Sequence, residues 1–157
     1  MKRTSNLSVA ENVNRKLKDL ARQMGGGNVQ IGFLANGPLS TYPDGTPVAT
    51  VAFWNEFGHG GESPSPPRPF FRTMIAKESP SWPGKMEHLA KSTKFDGAAV
   101  LKLIGEDIAG ALQESIANFT DPPNAPSTVK AKGFNKPLVD TGQMLRAVGY
   151  EYKDTKD

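Results

Sequence analysis

The stretch DGAAVLKLIGEDIAGALQESIANF, Asp96 to Phe119, decides the fold. Leu101, Ile104, Ile108, Leu112, Ile116 and Phe119 recur at three- and four-residue steps, and Val100, Leu103 and Ala111 widen the stripe. That spacing puts them on one face of an α-helix. Asp96, or a neighbour, stands where an N-cap belongs, because its side chain can accept the unpaired N–H groups of the first turn. At about 1.5 Å per residue the helix reaches roughly 36 Å, enough to lie across a sheet as the backbone of a core. Gly105 and Gly110 sit inside it, each costing about 1 kcal/mol against alanine. Close packing against another backbone is the expected reason.

The partners of this helix lie at both ends of the chain. NVQIGFL, Asn28 to Leu34, alternates Val29, Ile31 and Phe33 on one side and reads as a strand. Ala147 to Lys153 reads as a second strand, with Val148 and Tyr150 on one face and Tyr152 continuing the alternation. Leu7, Val9, Val13, Leu17, Leu20 and Met24 predict an N-terminal helix from about Ser8 to Met24, stopped by Gly25-Gly26-Gly27. Between the strands, Thr46 as cap and Pro47 at the first helical position predict a short helix over Val48 to Phe57, ended by Gly58. Pro69 starts another helix to about Ser79. The Ser79 to Gly84 cluster is expected to break the chain before a weak helix over Lys85 to Ser92. Asp140 or Thr141 caps a helical turn through Leu145, with Gly142 relaxing the backbone of the turn. The sum is an α+β fold in one domain over residues 1–157. A small antiparallel sheet is packed by the long amphipathic helix and the N-terminal helix (1–24), and extended proline-rich arms occupy 58–68 and 121–137.

Composition narrows the chemistry. The chain is 37% hydrophobic and 22% charged, with 16 glycines and 13 prolines, which implies irregular connections between packed segments. It has no cysteine, so disulfides, thiolate metal sites and a cysteine nucleophile are excluded. No apolar run approaches the roughly 20 residues that span a membrane, so no membrane association is expected. The start, MKRTSNLSVAENVN, has no apolar core and is not read as a secretory signal. His59 and His88 with Glu62 lack the short spacing of a zinc site. Glu56 and Glu62 are the nearest approach to a carboxylate pair, but Glu56 is expected to cap, or to bind a backbone or an arginine such as Arg68. The glycine clusters at 25–27 and 58–61 lack the lysine of a phosphate loop. Asp140-Thr141-Gly142 matches the aspartic-protease triplet, but the chain holds one such loop and little β structure. No catalytic, metal or cofactor residue is assigned, and no enzymatic activity is expected.

The segment FWNEFGHGGESPSPPRPFFR, Phe53 to Arg72, has a different use. Pro64, Pro66, Pro67 and Pro69 fix backbone φ and make a stiff strap that is cheap to order. The strap would start at Phe53 and Phe57, packed in the core, and present Phe70 and Phe71 between Arg68 and Arg72. Aromatics flanked by arginine have the composition of interface hot spots. The alternative, that Phe53, Phe57 and Phe70 all fill this domain's core, stays open on the sequence. The expected contact residues are Trp54, Glu56, His59, Pro66, Pro67, Arg68, Phe70 and Phe71 on the first arm, and Pro122, Pro123 and Phe134 on the second.

Three blocks carry a resemblance: Glu56-Phe57-Gly58, Arg68-Pro69-Phe70, and Pro137-Leu138-Val139-Asp140-Thr141-Gly142-Gln143-Met144. In this order, with a long amphipathic helix between, they resemble the tail-completion and virion-morphogenesis proteins of tailed bacteriophages, a group that includes neck, head–tail joining and minor tail components. The likeness spans roughly Val51 to Tyr152. It implies a small α+β protomer without catalysis that forms a homo-oligomeric ring at the head–tail interface of the virion, assembled in the host cytoplasm. Six copies are implied for a tail-end ring and twelve for the connector side. Its partners would be itself and the adjacent neck, connector and tail-tube proteins, with nonspecific contact to DNA in the lumen. The Gly58 to Pro67 segment and the Trp82 insertion depart from the commonest pattern and leave open whether the position is tail terminator, neck adaptor or minor tail protein. The alternative is a small basic nucleic-acid-binding protein acting in phage DNA packaging or processing. It would use Lys16, Lys18, Arg22 and the Lys130 to Lys136 stretch, where Phe134 is the main aromatic near basic residues.

Overall fold

A two-stranded sheet and one long helix set the frame of the computed structural model, which describes residues 24–61 and 64–155 together with Glu11, Asn14, Arg15, Lys16, Lys18, Asp19 and Arg22. In chain order the elements are β1 (Gly27–Phe33), α1 (Val48–Phe57), α2 (Phe70–Glu78), a 3-10 turn (Ser79–Ser81), α3 (Trp82–Ser92), α4 (Gly97–Ala117), α5 (Pro126–Lys132), α6 (Gln143–Arg146) and β2 (Val148–Asp154). The fold is α+β, and α4 packs on the sheet.

β1 and β2 pair antiparallel in a flush register from Gly27↔Asp154 to Phe33↔Val148. Because side chains alternate along a strand, Val29, Ile31 and Phe33 share one face with their partners Tyr152, Tyr150 and Val148. That face meets the apolar stripe of α4. Ile104, Ile108, Leu112 and Ile116 are buried in one cluster with Val48, Ala52, Phe70, Met74, Leu138, Met144 and Val148. Asp96 caps α4 by accepting the Ala99 N–H at 3.0 Å. The helix has 21 residues, roughly 32 Å at about 1.5 Å each. Gly105 has a packing reason, though the neighbours are side chains rather than a backbone. A Cβ there would sit 2.6 Å from Val29 Cγ2 and 3.0 Å from Tyr150 Cδ2. Gly110 faces open space, and nothing in the structure explains it.

Several local expectations are corrected. Thr46 does not cap α1; its N–H donates to the Asp44 carboxylate at 2.9 Å, and Pro47 leads directly into the helix. Ser79 to Gly84 does not break the chain. A 3-10 turn runs straight into α3, with Pro83 in the first turn, where its missing N–H costs nothing. The two proline-rich segments are not extended arms. His59 and Ser65 exchange backbone hydrogen bonds of 3.1 and 2.9 Å, and the Arg68 N–H returns to the Asn55 carbonyl at 2.6 Å. Residues 58–61 and 64–68 therefore fold back onto the end of α1. Gly58 makes this possible: its φ is +74°, and a Cβ would meet Ser65 O at 2.8 Å and Pro67 N at 2.9 Å. Segment 121–137 contains α5, closed by Gly133 in the left-handed region.

The described positions between Glu11 and Met24 are helical and exposed. The apolar residues expected to dock that helix, Leu7, Val9, Val13, Leu17 and Leu20, lie outside the described residues. Where the helix ends, the Met24 carbonyl lies against Gly97, and a Cβ on Gly97 would overlap it.

Candidate interaction surface

The junction of α1 and α2 is built on one carboxylate. Helix α2 begins after Pro69, which offers no side-chain acceptor for the first N–H groups. Glu56, reaching across from α1, fills that need. Its Oε2 accepts the Phe71 N–H at 2.9 Å, and its Oε1 accepts the Arg72 N–H at 3.2 Å and Arg72 Nε at 2.7 Å. The Arg72 guanidinium also donates to the Glu56 carbonyl at 3.2 Å. A negative charge at a helix N-terminus is favourable in addition to these bonds. Glu56 is 5% exposed, so the joint is internal.

Arg68 and Phe70 are internal too. Arg68 donates to Asn55 Oδ1 at 3.3 Å and Ser65 Oγ at 3.1 Å, tying the folded-back segment to α1. Burial lowers its pKa from the ordinary guanidinium value. Phe70 is 1% exposed, packs edge-on to Phe33 at 6.4 Å, and its carbonyl accepts the Ser115 hydroxyl at 2.8 Å. Glu56, Arg68 and Phe70 were expected at an interface. They are corrected to interior positions, because the capping of α2 and the core of α4 claim them.

The opposite correction applies to Phe53 and Phe57, expected in the core. Phe53 is 59% exposed, Phe57 49% and Trp54 44%. The cause is helical geometry. Val48, Ala52 and Glu56 stand four residues apart and take the buried face of α1, so positions 53, 54 and 57 turn outward. That row was visible in the sequence. Placing the expected cap Glu56 on the same face as Val48 and Ala52 would have found it. The Phe53 and Phe57 rings lie 4.8 Å apart, Trp54 stands 5.8 Å from His59, and Arg72 lies 4.8 Å over the Phe57 ring. Phe33, Ala49, Phe53, Phe57, Phe71 and Arg72 line a cleft of about 250 Å³ between α1 and α2. Pro66 and Pro67 are exposed beside this junction, and Phe71 is half-buried.

The third sequence block forms a separate turn. Gly142 adopts φ +77°, and Thr141 Oγ1 accepts the Gln143 N–H at 3.3 Å. Neither expected cap forms: Gly142 holds the N-cap position with no side-chain cap bond, and Thr141 only closes a local turn two residues on. Gln143 Nε2 reaches the Thr41 carbonyl at 2.6 Å. Tyr42, Asn55, Lys132, Asp140, Thr141 and Gln143, with Val51, Leu138 and Met144, line a small cleft of about 110 Å³. Partial burial, with Asp140 and Asp44 nearby, raises the Tyr42 phenol above its ordinary value. Burial lowers the Lys132 ammonium pKa, with Asp140 opposing the shift and Arg68 adding to it. On the second proline-rich segment Pro123 is exposed and Pro122 half-buried. Phe134 is 39% exposed, under Lys132 Nζ at 5.3 Å from its ring.

Among the described residues no three His, Asp or Glu side chains converge to hold a metal ion, and no helix is long and apolar enough to cross a membrane. Comparison of the chain with protein-family models, with curated proteins and with solved structures finds no match in any of the three. The arrangement itself supplies contact chemistry: exposed aromatic rings with a guanidinium among them, on a helix pinned by a buried carboxylate. Contiguous apolar surface of this kind marks interaction sites, and rigid aromatic and arginine anchors dominate their energetics.

Proposed function

We propose that this chain is a structural virion protein of a tailed bacteriophage, of the tail-completion or neck class, that assembles with copies of itself into a ring at the head–tail interface. The observation that carries the reading is the aromatic surface of α1. Phe53, Trp54 and Phe57 are exposed on a helix whose opposite face is locked by Glu56. Preorganised anchors lose little conformational entropy on binding, so they favour assembly. The three ordered blocks support the class: Glu56 of the first caps the helix opened by the second, and Asn55 beside it lines the same cleft as Asp140 and Thr141 of the third. The ring would sit among neck, connector and tail-tube proteins, with DNA passing through its lumen, and would perform no catalysis.

The test is the mass of the purified chain by light scattering over protein concentration and salt. A discrete multiple of the 16.9 kDa chain that persists at high salt is expected, because apolar contacts are not screened. A monomer at every concentration that binds DNA with a steep salt dependence would overturn the reading in favour of the nucleic-acid-binding alternative.

A further inference from the structure

The sheet has two strands and therefore two open edges. β1 and β2 are each seven residues long and pair flush along their whole length. On each strand every second residue turns its backbone N–H and C=O away from the other strand. Among the described residues no third strand pairs with either. Neither strand carries a proline or a bulge, and β1 carries no charged residue, while β2 bears Glu151, Lys153 and Asp154. An edge without a proline or a bulge is a template for a further strand.

The surroundings of the two edges favour a second copy of this chain. The aromatic cleft between α1 and α2 is lined by Phe33 of β1 and by no residue of β2, so it adjoins β1 rather than β2. The Phe71 ring lies 3.7 Å from the position a Cβ on Gly32 would take. A strand added to β1 would run past the mouth of that cleft and cover its rings. At the other edge, Tyr150 of β2 belongs to the row facing α4, yet it is 37% exposed. On the polar face, Asn28 and Gln30 of β1 are uncharged, and Glu151 and Lys153 of β2 neutralise each other at 3.5 Å. The edge of β1 can therefore meet the edge of β2 from another copy without like-charge repulsion.

We infer that the outer edge of β1 pairs antiparallel with the outer edge of β2 of a second copy, head to tail. This rests on the ring reading above and specifies its joint. Rotating an antiparallel pair about an axis along its strands sets β2 of one copy beside β1 of the next, again antiparallel. The contact thus repeats around a closed ring and pairs the outward backbone groups of every copy.

The absence of cysteine makes the test direct. Asn28→Cys and Gln30→Cys on β1, and Glu151→Cys and Lys153→Cys on β2, are single substitutions at exposed positions. Each β1 variant is mixed with each β2 variant, oxidised and run on a non-reducing gel. A disulfide needs Cα atoms within about 7 Å. At least one β1 plus β2 mixture is expected to show about half of its chains as a linked pair, the share that random mixing around a head-to-tail ring allows, while no variant links to itself. Linkage within a single-variant sample would mean two-fold edge pairing and overturn the inference. No linkage in any mixture, with light scattering still giving an oligomer, would overturn it while leaving the ring reading intact. A chain that is monomeric at all concentrations removes both.

Discussion

Replacing Glu56 by alanine is expected to destabilise the chain by about 3 kcal/mol, most of it through backbone groups rather than through the ion pair. The Glu56 side chain is 7% exposed, whereas that of Arg72 is 56% exposed. Freed of its partner, Arg72 hydrates, so the pair itself contributes about 1 kcal/mol or less. The Phe71 and Arg72 N–H groups have no other acceptor at the start of α2. Loss of such a cap costs about 1–2 kcal/mol, and the void left by a buried side chain adds roughly another 1 kcal/mol. Glu56→Gln keeps one oxygen for a backbone N–H and is expected to cost about half as much as alanine, since a single neutral hydrogen bond contributes about 1 kcal/mol. Arg72→Ala is expected to cost about 1 kcal/mol. The assay is urea unfolding of the single variants and the Glu56→Ala/Arg72→Ala double variant, at a protein concentration where light scattering gives the monomer and the m value is unchanged. A double-mutant cycle then isolates the pair. If Arg72→Ala cost as much as Glu56→Ala, and the coupling energy equalled that cost, the ion pair and not the cap would hold the joint, and the reasoning would be wrong.

The glycines of α4 should respond in opposite directions. Gly110→Ala, facing open space, is expected to stabilise by up to about 1 kcal/mol, while Gly105→Ala, against Val29 and Tyr150, should destabilise by about 1–3 kcal/mol; thermal unfolding of the two variants checks the signs. Phe70→Ala, with Phe70 1% exposed, is expected to cost about 3–5 kcal/mol, whereas Phe53→Ala should change monomer stability by less than about 1 kcal/mol. Equal losses in chemical denaturation would contradict the reversed placement of these rings. Tyr42 should titrate later than an ordinary phenol, because burial and then Asp140 disfavour its anion. Its contribution to stability is full below the unfolded value of about 10 and is lost as pH rises through the higher folded value. Ultraviolet titration of the tyrosines, with Tyr42→Phe removing the late phase, tests this.

Elements with a strong period were legible in the sequence. The stripe from Leu101 to Ile116 gave α4, alternation around Ile31 and Tyr150 gave the sheet, and the Pro47 to Gly58 frame matched α1. What composition could not supply was orientation. An aromatic side chain fits a core or a surface, and the choice between Phe53 and Phe70 was made by Val48, Ala52 and Glu56 taking one face of α1. Proline-rich segments look extended because each proline fixes its own φ. The fold-back of 58–61 and 64–68 depends instead on backbone hydrogen bonds between His59 and Ser65 and on the left-handed Gly58, which are pairings at a distance. Glu56 was expected to cap, or to bind a backbone or an arginine such as Arg68; it caps α2 and binds an arginine, but Arg68 faces Asn55 while Arg72, the third residue of α2, meets the carboxylate. The two strands were legible, but their flush register was not, since it emerges only once both ends of the chain are brought together.

The most direct test of the aromatic surface is a light-scattering comparison of the unmodified chain with Phe53→Ala/Phe57→Ala, at rising protein concentration in high salt. The unmodified chain should reach a discrete multiple of its 16.9 kDa mass, and the variant should remain a folded monomer over the same range. Assembly by the variant to the same size and at the same concentration as the unmodified chain would contradict the account.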